Sequence, residues 1–292
     1  MSPAQKTVLI TGCSAGGIGH ALALEFKSKG YRVFATARNP KSIEDLSEKG
    51  IETLVLDVTN QESIKAAREK VAELTGGSLN ILVNNAGAAS MIPATDFDID
   101  EAKKLFDVNL FGVMAMVKEF VHLLIASRDG RIVNIGSVAG LLPLPYGSIY
   151  NASKAALHSY GDTLRVELAP FGIQVITVAT GGVKTNIVDS LAKNAAKTDL
   201  PPDSLYQPIA DLYHKLLVSH QNADVMSAEV YARSVVKAVT RSKLGIWLWA
   251  GSFAQILWFC TTFLPKWALA GMVNSDSGLP ELTKKLKAQK AA

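Results

Sequence analysis

Apolar runs of strand length recur between helical patterns along most of the chain, at residues 7–11, 32–37, 53–57, 81–84, 131–135 and 174–179. Few folds are open to a chain written this way. Parallel strands cannot be joined by tight hairpins, so each needs a crossover helix, and the helices end up covering both faces of the sheet. Four of the runs are nearly continuous Val, Ile and Leu, as strands buried on both faces require. The expected fold class is α/β, a doubly wound parallel sheet with helices on both faces and its ligand beyond the carboxyl ends of the strands.

The chain has 292 residues, enough for one such domain and an appendage. Residues 1–250 read as the domain. After a helix at 227–241, residues 245–250 read as its last strand. Between them, 186–225 breaks the rhythm with Pro201, Pro202 and Pro208 and is expected to be a substrate lid carrying Lys193 and Lys197. Residues 251–292 form the appendage, an apolar helix at 252–264 stopped by Pro265, then a tail with Lys284, Lys285, Lys287 and Lys290. The balance of 30 Lys+Arg against 26 Asp+Glu leaves a net charge of +4, too weak for a nucleic-acid partner. Two cysteines, Cys13 and Cys260, make no framework of bridges and fit an intracellular, reducing setting. Residues 6–11 already read as the first core strand, so no cleaved leader is expected.

Thr11-Gly12-Cys13-Ser14-Ala15-Gly16-Gly17-Ile18-Gly19 follows the first strand and opens a helix. Glycines permit a tight turn and close approach of a pyrophosphate to backbone N–H groups at a helix N-terminus. This is the loop of a Rossmann fold, with Gly12, Ser14, Gly16, Gly17, Ile18 and Gly19 as candidate cofactor contacts. At the end of the second strand, where an acidic side chain would accept from the ribose of NAD, stands Arg38, whose guanidinium suits a 2′-phosphate. NADPH is therefore the expected cofactor, and no metal is expected. The same loop also matches the G-x-S-x-G nucleophile elbow through Ser14, so a lipase or esterase is a rival reading, with His158, His214 and His220 as possible partners.

Tyr150 and Lys154 stand four residues apart, on one face of a helix. An ammonium there stabilises phenolate, so it is expected to lower the Tyr150 pKa and let the phenol act as general acid to a carbonyl oxygen. Ser137, thirteen residues earlier at the end of a strand, has a hydroxyl able to bond the same oxygen. Asn109 is an amide in an apolar helical stretch and needs partners, the plain alternative being a structural bond between helices.

With these residues in place the sequence resembles the short-chain dehydrogenase/reductase family over residues 6–250. The family's Asn-Asn-Ala-Gly element stands as Asn84-Asn85-Ala86-Gly87, its adenine-contacting Asp as Asp57 before Val58, its catalytic Ser as Ser137, its Tyr-x-x-x-Lys as Tyr150 and Lys154, and its tetrad Asn as Asn109. The resemblance implies cofactor contacts at Asp57, Val58, Asn85, Ala86 and Gly87, a ribose contact from Lys154, and a water held by Asn109. Two places depart from the family. The glycine spacing is one residue longer, leaving open which of Gly16 and Gly17 meets the pyrophosphate. The Pro-Gly after the sixth strand is Gly181-Gly182, with Val183 and Thr185 implied to hold the nicotinamide carboxamide.

Thr180 to Val183, residues 147–158 and the apolar C-terminus are similar to the fungal NADPH-dependent 1-acyldihydroxyacetone-phosphate reductases. That resemblance implies reduction of an acylated ketone phosphate to lysophosphatidic acid at the endoplasmic reticulum and lipid droplets, the chain being otherwise cytoplasmic, and a possible homo-oligomer. Reductases of retinoid, steroid or secondary-metabolite ketones share much of the pattern, and a catalytically silent lipid-surface protein is a third reading. Leu244 to Leu264 carries no charge, and Trp247, Trp249, Trp258 and Trp267 cluster there. Part of that run is strand, so the expectation is attachment to a membrane surface rather than a crossing.

Overall fold

The computed structural model describes residues 5–186, 200–219 and 224–291. Seven parallel strands form one sheet: β1 (Thr7–Ile10), β2 (Arg32–Ala37), β3 (Glu52–Val55), β4 (Ile81–Asn84), β5 (Arg131–Ile135), β6 (Gln174–Thr180) and β9 (Trp247–Ala250), in the order 3-2-1-4-5-6-9. Two short strands, β7 (Val183–Lys184) and β8 (Met226–Ser227), pair beside it. Alternate residues of each central strand supply opposite faces. Val8 and Ile10 join the cluster under α1 (Ile18–Ser28), α2 (Glu44–Glu48) and α8 (Ala228–Val239). Leu9 joins the cluster under α3 (Gln61–Thr75), α5 (Gly112–Ala126) and α6 (Ser148–Leu168). The doubly wound α/β architecture is thus as the apolar runs imply.

The chain winds outward from β1 to β3 and then returns to β4 on the other side of β1. At that reversal the carboxyl ends of β1 and β4 diverge and leave a crevice, which is where a ligand fits such a sheet.

Boundaries shift in instructive places. β3 ends at Val55, so Asp57 lies in a loop; its Oδ1 accepts from the N–H and hydroxyl of Thr59 at 2.9 and 2.7 Å. The last strand begins at Trp247, two residues late. α4 (Ile99–Phe106) runs into α5 through a single π-turn at Asp107–Phe111, which nothing in the apolar spacing announces. The Lys-rich tail is itself helical, α11 (Leu279–Ala291), because Leu282 is buried and Leu279 packs on the cluster around Tyr146. The apolar helix α9 is shorter than expected, Ala254–Phe263, and Pro265 starts α10 (Lys266–Asn274).

Of the segment read as a lid, residues 187–199 and 220–223, with Lys193, Lys197 and His220, lie outside the described residues. The described part contains α7 (Ala210–Ser219), whose Tyr213 and Leu217 pack with Leu200 against Tyr146.

Candidate active site

A cleft of about 1030 Å³ lies over the carboxyl ends of the strands. Along one side it is lined by Gly12, Ser14, Gly17, Ile18, Arg38, Asp57 and Val58, along the floor by Asn85, Ala86 and Gly87, and at the far end by Ser137, Tyr150, Lys154, Val183 and Thr185. Gly16, Gly19 and Asn109 stand just behind this lining.

The glycine loop is shaped for an anion. Gly12 has φ +71°, and a Cβ on it would lie 2.8 Å from the Ala86 Cα. Gly19 packs so closely beneath that a Cβ would strike the Gly12 carbonyl oxygen and lie 2.5 Å from Asn85 Nδ2. Gly17 precedes α1 with no side-chain cap and no acidic residue in the helix's first turn, so unpaired N–H groups and the positive end of the helix dipole face the cleft. Gly16, at φ +74°, is turned under Asn186, whose Nδ2 donates to the Ala15 carbonyl at 2.9 Å. Of the two glycines left open by sequence, Gly17 is the one that lines the cleft.

Asn85 ties the loop down with its side-chain amide. Its Nδ2 donates to the carbonyls of Thr11 and Gly12 at 2.8 and 2.9 Å. Thr11, which the sequence reading passed over, completes the weld. Its Oγ1 accepts from the N–H groups of Asn85 and Ala86, both at 2.9 Å. Its only signal in sequence is its place directly before Gly12.

The second half of the site stands on β5 and α6. Ser137 caps a short 3₁₀ turn (Val138–Gly140), its Oγ accepting from Ala139 N–H at 3.1 Å. Tyr150 and Lys154 occupy successive turns at the start of α6, and Lys154 Nζ lies 5.9 Å from the Tyr150 ring centroid and donates to the Ile135 carbonyl at 3.1 Å. Burial pushes the Lys154 ammonium down to about 8. Burial also pushes the Tyr150 phenol up, and its hydrogen bond with Ser137 pulls only partly the other way. The expected net lowering of the Tyr150 pKa is therefore not met: desolvation outweighs the one opposing influence, the Ser137 hydrogen bond. The phenol is protonated at neutral pH, the state a proton donor requires.

Asn109, within the π-turn, is fully buried. Its Oδ1 accepts from Ala88 N–H at 2.8 Å, and its Nδ2 donates to the Ala88 carbonyl at 2.9 Å and to Ser153 Oγ at 3.0 Å. This is the bridge between helices of the plainer reading. It also stands near the chemistry, since a Cβ on Gly87 would lie 3.3 Å from Asn109 Oδ1 and 3.7 Å from Lys154 Nζ.

His158, which the sequence offers only as a possible partner of Ser14, lies one turn beyond Lys154. Its Nε2 accepts from the Ser137 N–H at 3.3 Å, and its ring meets Trp247 edge-on at 4.8 Å. Gly136 and Gly140, on either side of Ser137, leave room for it; a Cβ on either would lie 2.5 or 2.6 Å from the imidazole. Burial, with the Lys154 charge adding to it and Asp162 opposing, pushes the ring down to about 4, so it is neutral.

Among the described residues the elbow reading of Ser14 finds no support. Its Oγ bonds the hydroxyl of Ser42 at 3.0 Å, and His158 is turned to Ser137 instead. A serine hydrolase needs an imidazole on the nucleophile.

Residues 6–196 match the family described as short chain dehydrogenase. An NADPH-dependent 1-acyldihydroxyacetone phosphate reductase of Schizosaccharomyces pombe is 46% identical over 219 residues, which cover 75% of this chain and 72% of that protein. A short-chain dehydrogenase of Pyricularia oryzae is 42% identical over 262 residues, 90% of this chain and 91% of the relative. The crystal structure of a short-chain dehydrogenase from Streptomyces avermitilis is similar with a TM-score of 0.74, at 26% identity and 99% coverage of both chains.

Proposed function

The chain belongs to the short-chain dehydrogenase family, and from that premise we propose that it reduces the ketone of an acylated, lipid-like substrate, 1-acyldihydroxyacetone phosphate being the first choice and lysophosphatidic acid its product. It is an NADP-dependent oxidoreductase acting on alcohol and ketone groups. The observation that carries the reading is the gathering of Tyr150, Ser137 and Lys154 at one end of the cleft.

The residues present fit the cofactor. The close approach of Gly12, Gly17 and Gly19 to their neighbours, with the uncapped start of α1, leaves the space and the charge a pyrophosphate needs. Arg38, exposed at the end of β2, would meet a 2′-phosphate, and Asp57 and Val58 would border the adenine. NADPH, when bound, supplies the hydride that reaches the ketone carbon. Tyr150 gives its proton to the carbonyl oxygen as that carbon is reduced. Ser137 shares the same oxygen and orients it, while Lys154 holds positive charge against the phenolate that Tyr150 becomes. Asn109 keeps the Ala88 segment and Ser153 in register beside Lys154.

The lipid-like substrate is supported by the similarity to the Schizosaccharomyces pombe reductase and by an apolar C-terminal face. Ile256, Phe259, Phe263 and Trp267 are all more than half exposed there. We read that face as the part that meets a lipid surface, at the endoplasmic reticulum or a lipid droplet. The decisive experiment follows NADPH consumption with 1-acyldihydroxyacetone phosphate beside unacylated dihydroxyacetone phosphate and retinoid and steroid ketones. The reading expects the acylated phosphate to give the highest kcat/KM. Equal efficiency with the unacylated compound, or a higher one with a retinoid or steroid ketone, would replace it.

A further inference from the structure

The turn that delivers Tyr150 holds a side chain where backbone preference asks for none. Gly147 N–H donates to the Leu144 carbonyl at 3.3 Å, closing a four-residue turn with Pro145 second and Tyr146 third. Tyr146 has φ +62°. The residue after proline in such a turn adopts left-handed backbone and is ordinarily glycine or asparagine, because a Cβ is strained there. A tyrosine persists at such a position only where surrounding contacts fix it.

Those contacts come from residues 200–217 and, through one buried hydrogen bond, from the far end of the chain. Tyr146 Oη donates to the Ser277 carbonyl at 2.8 Å in a buried setting. Its ring meets Tyr213 and Tyr206 edge-on, with centroids 5.0 and 5.8 Å away. Ser277 is itself buried, and its hydroxyl ties the turn between α10 and α11 to Asn274 at 2.8 Å and accepts from Leu279 N–H at 3.1 Å. Earlier in the same catalytic loop, Leu142 packs with Cys260 of α9 and Leu269 of α10. The loop joining Ser137 to Tyr150 is therefore gripped at two points by residues 251–291, the segment that sequence alone sets apart as an appendage.

We propose that Tyr146 is a positioning residue for the Ser137–Tyr150 pair, and that the C-terminal turn around Ser277 belongs to the catalytic apparatus through it. The proposal rests on the reading of Tyr150 as the proton donor. The path is short. Asn151 Nδ2 donates to the Leu144 carbonyl at 3.0 Å, and Asn151 N–H donates to the Gly147 carbonyl at 2.7 Å. The turn and the first turn of α6 thus move as one unit, and a shift of Tyr146 displaces Tyr150 relative to Ser137.

The test compares four full-length proteins: the parent, Tyr146→Phe, Ser277→Ala and Tyr150→Phe. Each is measured for kcat and KM with the best ketone, NADPH Kd by fluorescence, and Tm. Tyr146→Phe keeps the ring and loses only the hydroxyl; it is expected to lower kcat about ten- to hundredfold, the scale of a small misplacement of catalytic groups. Its NADPH Kd stays close to the parent's, and Ser277→Ala lowers kcat in the same sense by loosening the turn. A tyrosine that merely filled space would leave the kcat of the folded protein alone. The proposal is overturned if both variants keep a kcat within about twofold of the parent while Tyr150→Phe is inactive. Should Tyr146→Phe not fold, Ser277→Ala decides alone. Retained activity in Tyr150→Phe would remove the reading of Tyr150, and this proposal with it.

Discussion

Lys154 holds a buried ammonium with one hydrogen bond, to the Ile135 carbonyl, and among the described residues no carboxylate pairs with it. Its pKa of about 8 in the fold lies below its ordinary 10.5, so the folded chain binds fewer protons than the unfolded one between those values. Stability therefore rises with pH through that window, and below it the fold bears the full cost of the charge. Lys154→Met is expected to raise stability at pH 7 in the absence of NADPH by roughly 1 to 3 kcal/mol, the desolvation relieved less the hydrogen bond lost. It should also abolish reduction, and its advantage should fade as pH climbs past 8 toward 10.5. Urea denaturation of both proteins across that range reads the difference; an advantage independent of pH would mean the ammonium is not its source. His158 offers a second contrast, because its neutral Nε2 is an acceptor for the Ser137 backbone. His158→Gln can keep an acceptor near that point, whereas His158→Leu cannot. The glutamine variant should retain much more of the kcat than the leucine variant at similar NADPH Kd, and equal losses in the two would show that the ring only fills space.

The elements that shape the cofactor half of the site are rigid because glycines let them touch. Gly19→Ala would drive a Cβ into the Gly12 carbonyl and against Asn85 Nδ2, parting the loop from β4. Overpacking of this kind costs about 1 to 3 kcal/mol, and here the strain falls on the surface that would receive the pyrophosphate. NADPH Kd should rise by more than tenfold, a change of at least about 1.4 kcal/mol. Titration of NADPH fluorescence measures it, and an unchanged Kd would show that this cradle does not hold the cofactor. How much of this was legible in sequence depends on whether the feature is local. The strands were, since strands buried on both faces leave continuous apolar runs, and so was the glycine loop, whose residues are adjacent. Asn109 was singled out as a polar residue in an apolar helix, but the π-turn that carries it has no sequence period of its own. Tyr146 was invisible, because its position asks for glycine and its partner Ser277 is 131 residues away. Thr11 and His158 act on backbone N–H groups, and a backbone partner leaves no matching side chain for a reader to find.

At the scale of the molecule the C-terminal segment faces two ways. Inward it grips the catalytic loop through Cys260, Leu269 and Ser277; outward it shows Phe253, Ile256, Trp258, Phe259, Phe263, Leu264 and Trp267. Two of the four tryptophans do not belong to that outward face. Trp247 packs against His158, donates from Nε1 to Asp162 Oδ1 at 3.0 Å, and stacks with Trp249. Phe253 is the more telling residue, since it has φ +65° and yet is 63% exposed. A strained backbone that presents an aromatic ring outward has no reward within the fold. The ten residues of α9, at about 1.5 Å each, reach only half of a hydrocarbon core of about 30 Å, so the helix suits immersion at an interface and not a crossing. Lys266 beside Trp267, and Lys284, Lys285, Lys287 and Lys290, are exposed, and on the proposed lipid-surface reading they would meet anionic headgroups. Removing the whole segment is a poor test, because it would uncover Leu142 and Tyr146 and disturb the site from within. The triple variant Ile256→Glu, Phe259→Glu, Trp267→Glu alters only exposed positions outside the cleft. It is expected to leave kcat on a soluble ketone unchanged while losing most of the parent's co-flotation with vesicles containing phosphatidylserine. Equal flotation of the two proteins, or no flotation of the parent, would rule out this face as a lipid contact, and sedimentation of the parent as a dimer that the variant cannot form would assign it to a second copy of the chain.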